Sequence, residues 1–192
     1  IQQRDLPVLD PSRRVLGIIR PTAETIGNLT ESRHIGVLAT EGTIKSQSYS
    51  MEIRKLFPDI HVSGVACPLW AAIVEAGEAD SPGADYFVKK RIDQLMRKDP
   101  LIDTIILGCT HYPLLMSSVV TNVPKGVRIM SQGTYVANSL ADYLKRHPEM
   151  ERNITQGGTC RYLTTESEER FSETARIFLH EDVTVNHVDL TE

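Results

Sequence analysis

The run Asp103-Thr-Ile-Ile-Leu-Gly-Cys109-Thr110-His111-Tyr-Pro-Leu-Leu115 decides how the rest of the chain is read. Residues Thr104 to Leu107 are apolar or β-branched without a polar alternation, the pattern of a strand buried on both faces. Gly108 permits a sharp turn, and Pro113 suits the first turn of a helix running on through Val120. A thiol, a hydroxyl and an imidazole therefore stand in a row at the carboxyl end of a strand, where open α/β sheets hold their ligands. A cysteine beside a histidine and a helix start is one whose thiolate is favoured. A buried, inert cysteine at a strand end is the competing reading, and the stretch alone leaves both open.

Around this stretch the chain has 192 residues, 41% of them hydrophobic and 24% charged, with a net charge of −4. That is enough to bury a substantial core in one large domain or two small ones. No apolar run approaches the length needed to cross a bilayer, and no long basic cluster points to nucleic acid, so neither partner is expected. The three cysteines, Cys67, Cys109 and Cys160, are odd in number and widely spaced. This suits reduced thiols in a cytoplasmic protein rather than a disulfide framework, and no ligand spacing suggests a metal. The chain begins Ile1-Gln-Gln-Arg without an initiator methionine or a signal-peptide pattern, so a preceding segment is expected.

Taken in order, residues 1–14 read as a connector, and Val15 to Ile19 as a short strand closed by Arg20-Pro21. A helix is predicted over 22–30 from the spacing of Ala23, Ile26 and Leu29. Strands follow at His34–Ala39 and His61–Ala66. Between them Thr40-Glu-Gly-Thr43 opens a helix spanning 44–57. The hydroxyls of Thr40 and Thr43 and the free N–H groups there form a cradle for a carboxylate, or Thr43 is simply an N-cap. Cys67, after the third strand, reads as structural, and Glu75 as a solvent-facing helical glutamate. Further predicted elements are an amphipathic helix over 85–98, a strand over 126–130 and a helix over 134–146 with Val136, Leu140, Tyr143 and Leu144 as its core stripe. A polar loop, a strand over 159–164, a helix over 166–179 and a strand over 183–188 complete the chain. Cys160 and His187 read as inert and structural.

Residues Ile106-Leu-Gly-Cys-Thr-His-Tyr-Pro-Leu-Leu115 resemble the second catalytic-cysteine motif of the glutamate racemases. Ala39-Thr-Glu-Gly-Thr-Ile44 resembles the Ala-Thr-x-Gly-Thr segment of that family, and Ala66-Cys-Pro-Leu69 a further turn. The C-terminal run from Tyr162 through Phe171, Phe178 and Leu179 to Leu190 is also similar to the family's closing segment. Glu75 matches an acidic position near the family's active site. The resemblance covers about Val15 to Leu190. The family's Asp-Ser-Gly and Cys-Asn-Thr strings, the latter holding the first catalytic cysteine, occur nowhere in the 192 residues.

What the resemblance implies is an α/β protein of two three-layer, parallel-sheet lobes with the first lobe incomplete. Residues 1–18 and 130–192 would be the remainder of the first lobe, and 19–129 the complete second lobe. The implied activity is cofactor-independent racemisation of L-glutamate to D-glutamate for peptidoglycan synthesis, with neither pyridoxal phosphate nor a metal. Cys109 would be the acid or base for one face of the substrate. His111 would support it and bind glutamate with Thr110, and Thr40 and Thr43 would make secondary contacts. Without the opposite-face cysteine the chain alone is expected to be inactive, and a homodimer is expected. Two alternatives stand beside this reading: a relative that works with a single cysteine, of the arylmalonate-decarboxylase type, and a non-catalytic binding or assembly module. The His-Tyr-Pro-Leu-Leu continuation favours glutamate.

Overall fold

A computed structural model describes residues 5–190. Its elements are α1 (Leu6–Leu9), α2 (Ile19–Ile26), β1 (His34–Ala39), α3 (Glu41–Ser46), α4 (Ser48–Leu56), β2 (His61–Ala66), α5 (Trp70–Glu75), α6 (Pro82–Lys98) and β3 (Thr104–Gly108). A 3-10 turn (Tyr112–Leu115) leads into α7 (Met116–Asn122). Next come β4 (Arg128–Ser131), α8 (Gln132–Arg146), α9 (Pro148–Glu151), β5 (Tyr162–Thr164), α10 (Glu168–Leu179) and β6 (Val185–His187).

Four of the strands form a parallel sheet in the order β2-β1-β3-β4. The two central strands are buried almost throughout, which is why their sequences are continuous apolar runs. Their side chains divide alternately between two cores. Leu38, Ile105 and Leu107 join Trp70, Val74, Val88, Ile92, Tyr112 and Leu115 on one face. Ile35, Val37, Ala39 and Ile106 join Ala23, Ile26, Tyr49 and Ile53 on the other. The result is an α/β/α sandwich with a parallel sheet, as the sequence predicts. A smaller parallel pair, β5 with β6, is bridged by α10 and packs its own helix across it.

Several elements depart from the sequence reading. Val15 to Ile19 is no strand: Ile19 opens α2, and Val15 and Leu16 are exposed. Pro21 is tolerated in a first turn because its missing N–H would have had no helical partner there. The first segment is not featureless either, since α1 forms a single turn; residues 1–4 lie outside the described residues. The helix after Thr40 is broken at Gln47, which adopts φ 52 and separates α3 from α4. α6 starts a turn earlier than expected, because the Ser81 hydroxyl accepts from the Ala84 N–H and Pro82 fills the first turn. The expected core stripe of α8 is not buried: Leu140 is exposed, and Val136, Tyr143 and Leu144 are only partly covered. No helix among the described residues is long and apolar enough to cross a membrane.

At the lower end of the sheet, Asp103 ties the entry of β3 to the turn before β1. Its carboxylate accepts from the backbone N–H groups of Glu31 and Ser32 at 2.7 Å each, and from the Thr30 hydroxyl at 2.7 Å. Asp99 does similar work beside it, 3.0 Å from Nδ1 of His34.

Candidate active site

The strand order dictates where a ligand can be held. From β1 the chain leaves toward β2, and from β3 it leaves toward β4, so the two connections diverge on opposite sides. The crevice this opens lies beyond the carboxyl ends of β1 and β3, the topological switch point of an open α/β sheet. Ala39 and Gly108 are register partners on these strands. Thr40 and Cys109, the residues that follow them, are therefore the two groups at the mouth of the crevice. Ala66 pairs with Ala39 on the other side, which places Cys67 at the same end, one strand out.

Gly108 makes the close approach possible. A Cβ on it would lie 3.0 Å from the Ala39 Cβ and 3.1 Å from the Tyr49 ring. Tyr49 itself is buried, with its hydroxyl donating to Gln132 Oε1 at 2.7 Å, and burial pushes its pKa up to about 12. Gln132 returns its amide to the Leu107 carbonyl at 2.9 Å. The floor under Cys109 is thus a fixed polar knot tying α4 and α8 to the end of β3.

The three consecutive groups of the motif are brought together. Cys109 is half-buried, and its Sγ lies 3.8 Å from Nδ1 of His111. The Thr110 hydroxyl is 3.4 Å from the same nitrogen. On the far side of the ring, Nε2 of His111 lies 2.9 Å from Glu75 Oε1. A carboxylate only accepts, so Nε2 carries the hydrogen and Nδ1 presents a lone pair to the cysteine. Thiol, imidazole and carboxylate then form a line in which a proton leaving Sγ is received by a ring whose positive charge has a partner. The Phe178 ring stands nearly perpendicular to the His111 ring, with centroids 5.0 Å apart.

Thr40 and Thr43 belong to a separate arrangement. Thr40, not Thr43, is the N-cap of the following helix: its hydroxyl accepts from the Thr43 N–H at 3.4 Å and lies 3.0 Å from the Thr43 hydroxyl. Among the described residues no hydrogen bond joins this pair to the Cys109 group. Cys67 is buried at the core edge, and its pKa is driven up to about 12, chiefly by burial, so it is a poor source of thiolate. Cys160 is exposed and outside the crevice.

Glu75 is solvent-facing, as expected, but has a further role. Its side chain is 51% exposed, but it is a partner of His111 rather than a free surface carboxylate. A signal for this existed. Glu75 ends α5, and a negative charge at a helix C-terminus is disfavoured unless something else holds it. Gln132 and Tyr49 carried no comparable signal, because their link spans elements distant in sequence. No group of residues able to hold a metal ion occurs among the described residues.

Residues 12–140 match a family model described as Asp/Glu/Hydantoin racemase. The chain is 33% identical over 177 residues to a glutamate racemase from Latilactobacillus sakei, covering 92% of this chain and 63% of that protein. It is 34% identical over 176 residues to one from Streptococcus thermophilus, covering 92% and 64%. The chain thus spans a little under two thirds of the length of these relatives. The solved structure of a glutamate racemase isoform from Bacillus anthracis superposes with a TM-score of 0.83 at 32% identity, covering 97% of this chain and 69% of that one.

Proposed function

The chain belongs to the Asp/Glu/Hydantoin racemase family, and on that premise we propose that it supplies one face of a cofactor-independent interconversion of L- and D-glutamate. The observation that carries this reading is the line Cys109–His111–Glu75 at the switch point between β1 and β3. The glutamate racemases among its relatives support glutamate as the substrate, and supply of D-glutamate to peptidoglycan synthesis in the cytoplasm is the purpose we propose for it.

Racemisation at an α-carbon removes a weakly acidic proton on one face and delivers one on the other. In the forward stroke Sγ of Cys109, as thiolate, takes the Cα proton and becomes the thiol. In the reverse stroke the thiol returns it. His111 sets which form is present. With Nε2–H held by Glu75, Nδ1 accepts the thiol proton, and the resulting imidazolium is stabilised by the carboxylate beside it. The carbanion that forms at Cα adds negative charge next to the substrate's own carboxylate. The hydroxyl of Thr110 and the imidazole edge of His111 are the donors placed to offset it, with Thr40 and Thr43 as outer contacts. The second base, for the opposite face, is a cysteine these residues do not include. Accordingly we assign the expected 19–129, extended to the end of β4 at Ser131, to one complete lobe and the flanking residues to part of a second, the substrate lying between lobes. A pair of chains is the expected assembly.

Protection of Cys109 from alkylation tests the substrate assignment. L- and D-glutamate should each slow carboxymethylation of Cys109, read by peptide mass mapping, while aspartate and malonates should not. Equal rates with and without glutamate would remove it. The chain alone should not convert L- to D-glutamate. Conversion abolished by Cys109→Ala would overturn the two-cysteine part and leave the rest standing.

A further inference from the structure

His111 is gripped from three sides, and only two of the grips come from the elements that build the sheet. The third is Phe178, in the last turn of α10, whose ring meets the imidazole at 85° with centroids 5.0 Å apart. Helix α10 belongs to the small β5–β6 unit, not to the four-stranded sheet. Along most of its length it stands off from that sheet's helices. A cavity of about 490 Å³ separates Arg170, Phe171, Thr174 and Ile177 of α10 from Glu75 and Gly77. Phe178 lies beyond the end of this cavity and packs onto the core cluster that contains Tyr112 and Leu115. The helix stops there because His180 takes a left-handed conformation, φ 57, with its N–H returning to the Arg176 carbonyl.

We infer that Phe178 is a positioning residue for the Cys109 site, holding the His111 ring in the rotamer that faces Cys109 with one nitrogen and Glu75 with the other. The inference rests on the reading of Cys109 and His111 given above. Its physical basis is that an imidazole hydrogen-bonded only at its two nitrogens can still rock and flip about its own bonds. A perpendicular aromatic contact restricts that motion and is worth more than the area it covers. If packing were all that α10 required of this residue, the adjoining cavity would be the place to fill. Instead the one large side chain that α10 lays on the sheet's helical layer touches the functional ring itself.

The test uses the full chain carrying Cys160→Ser, so that the exposed thiol does not contribute. The rate of Cys109 alkylation by iodoacetamide is measured from pH 5 to 10, which needs neither substrate nor turnover. Phe178→Leu keeps an apolar side chain but removes the ring. It should lower the rate at neutral pH about two- to tenfold, the range one aromatic contact supports, by moving the profile to higher pH. Phe178→Tyr should restore it. Phe178→Met serves in the same role if the leucine variant does not fold. In a His111→Asn background the Phe178 substitution should have no further effect, because its influence passes through the ring. An unchanged profile in the folded Leu or Met variant overturns the inference, and so does an equal shift in the His111→Asn background. If His111→Asn alone leaves the profile unchanged, it is the assignment of His111 to Cys109 that fails, a separate result from the failure of Phe178.

Discussion

Glu75 Oε1 lies 2.9 Å from Nε2 of His111, joining the end of α5 to the turn after β3. The contact fixes the ring's tautomer and gives its protonated form a counter-charge. Half of the Glu75 side chain is in water, so the interaction belongs with exposed pairs, worth about 0.2–1 kcal/mol. Glu75→Gln, which keeps the shape and loses the charge, should therefore slow Cys109 alkylation at neutral pH by about 1.4- to fivefold, with little change in thermal stability. Equal rates in the two proteins would show that the carboxylate does not act on the thiol.

The three cysteines should react in a set order. Burial holds Cys67 near a pKa of about 12, Cys109 is half-buried beside His111, and Cys160 is exposed. Mass mapping after limited alkylation of the folded chain at pH 8 should find adducts on Cys109 and Cys160 and none on Cys67. Cys67 should label only on unfolding.

Gly108→Ala should disturb both the fold and the site. The new methyl would sit 3.0 Å from the Ala39 Cβ and 3.1 Å from the Tyr49 ring, and both neighbours are buried. Overpacking of this kind costs about 1–3 kcal/mol, and the strain falls on the residue before Cys109. Chemical denaturation of the variant should show that loss. A midpoint equal to the parent's would mean that the strands can part without cost.

Asp103 should govern acid stability. Burial opposes its charge, but the N–H groups of Ser32 and Glu31 and the hydroxyls of Thr30 and Thr104 outweigh it and bring the pKa down to about 2. A folded pKa below the unfolded one means that the stabilisation is complete above about pH 4 and is lost as pH falls toward 2. Asp103→Asn should cost about 2 kcal/mol at pH 7 and flatten the acid limb of the stability profile. An acid limb identical to the parent's would refute this.

Much of the sheet was legible before any coordinates. The bounds of β1 and β2, His34–Ala39 and His61–Ala66, follow from apolar runs between turn residues, and β3 likewise except that Gly108, read as the turn, is its last residue. Burial on both faces writes itself into sequence. Val15 to Ile19 was misread because a short apolar run does not by itself require burial: Val15, Leu16 and Ile18 are exposed, and only Ile19 enters a helix. The core stripe expected on α8 is not buried, because periodicity says only that a face is apolar, not that anything covers it. The motif at 109–111 could be read from its chemistry. Its partner Phe178 could not, because it arrives from another element and only the fold sets the distance, while Glu75 was marked by its charge at a helix end but not by its contact.

The central position of β1 also orders events in time. β2 can pair with β1 as soon as residues 61–66 are available, but the other edge of β1 stays open until residues 104–108 arrive. Thr40 and Cys109 become neighbours only at that step, so the crevice is completed when the sheet closes and not before. During synthesis a chain halted before β3 would carry an unpaired, strongly apolar strand edge, the kind that captures other chains. For this protein the moment of greatest exposure to aggregation ends with the same docking event that creates the reactive thiol's surroundings.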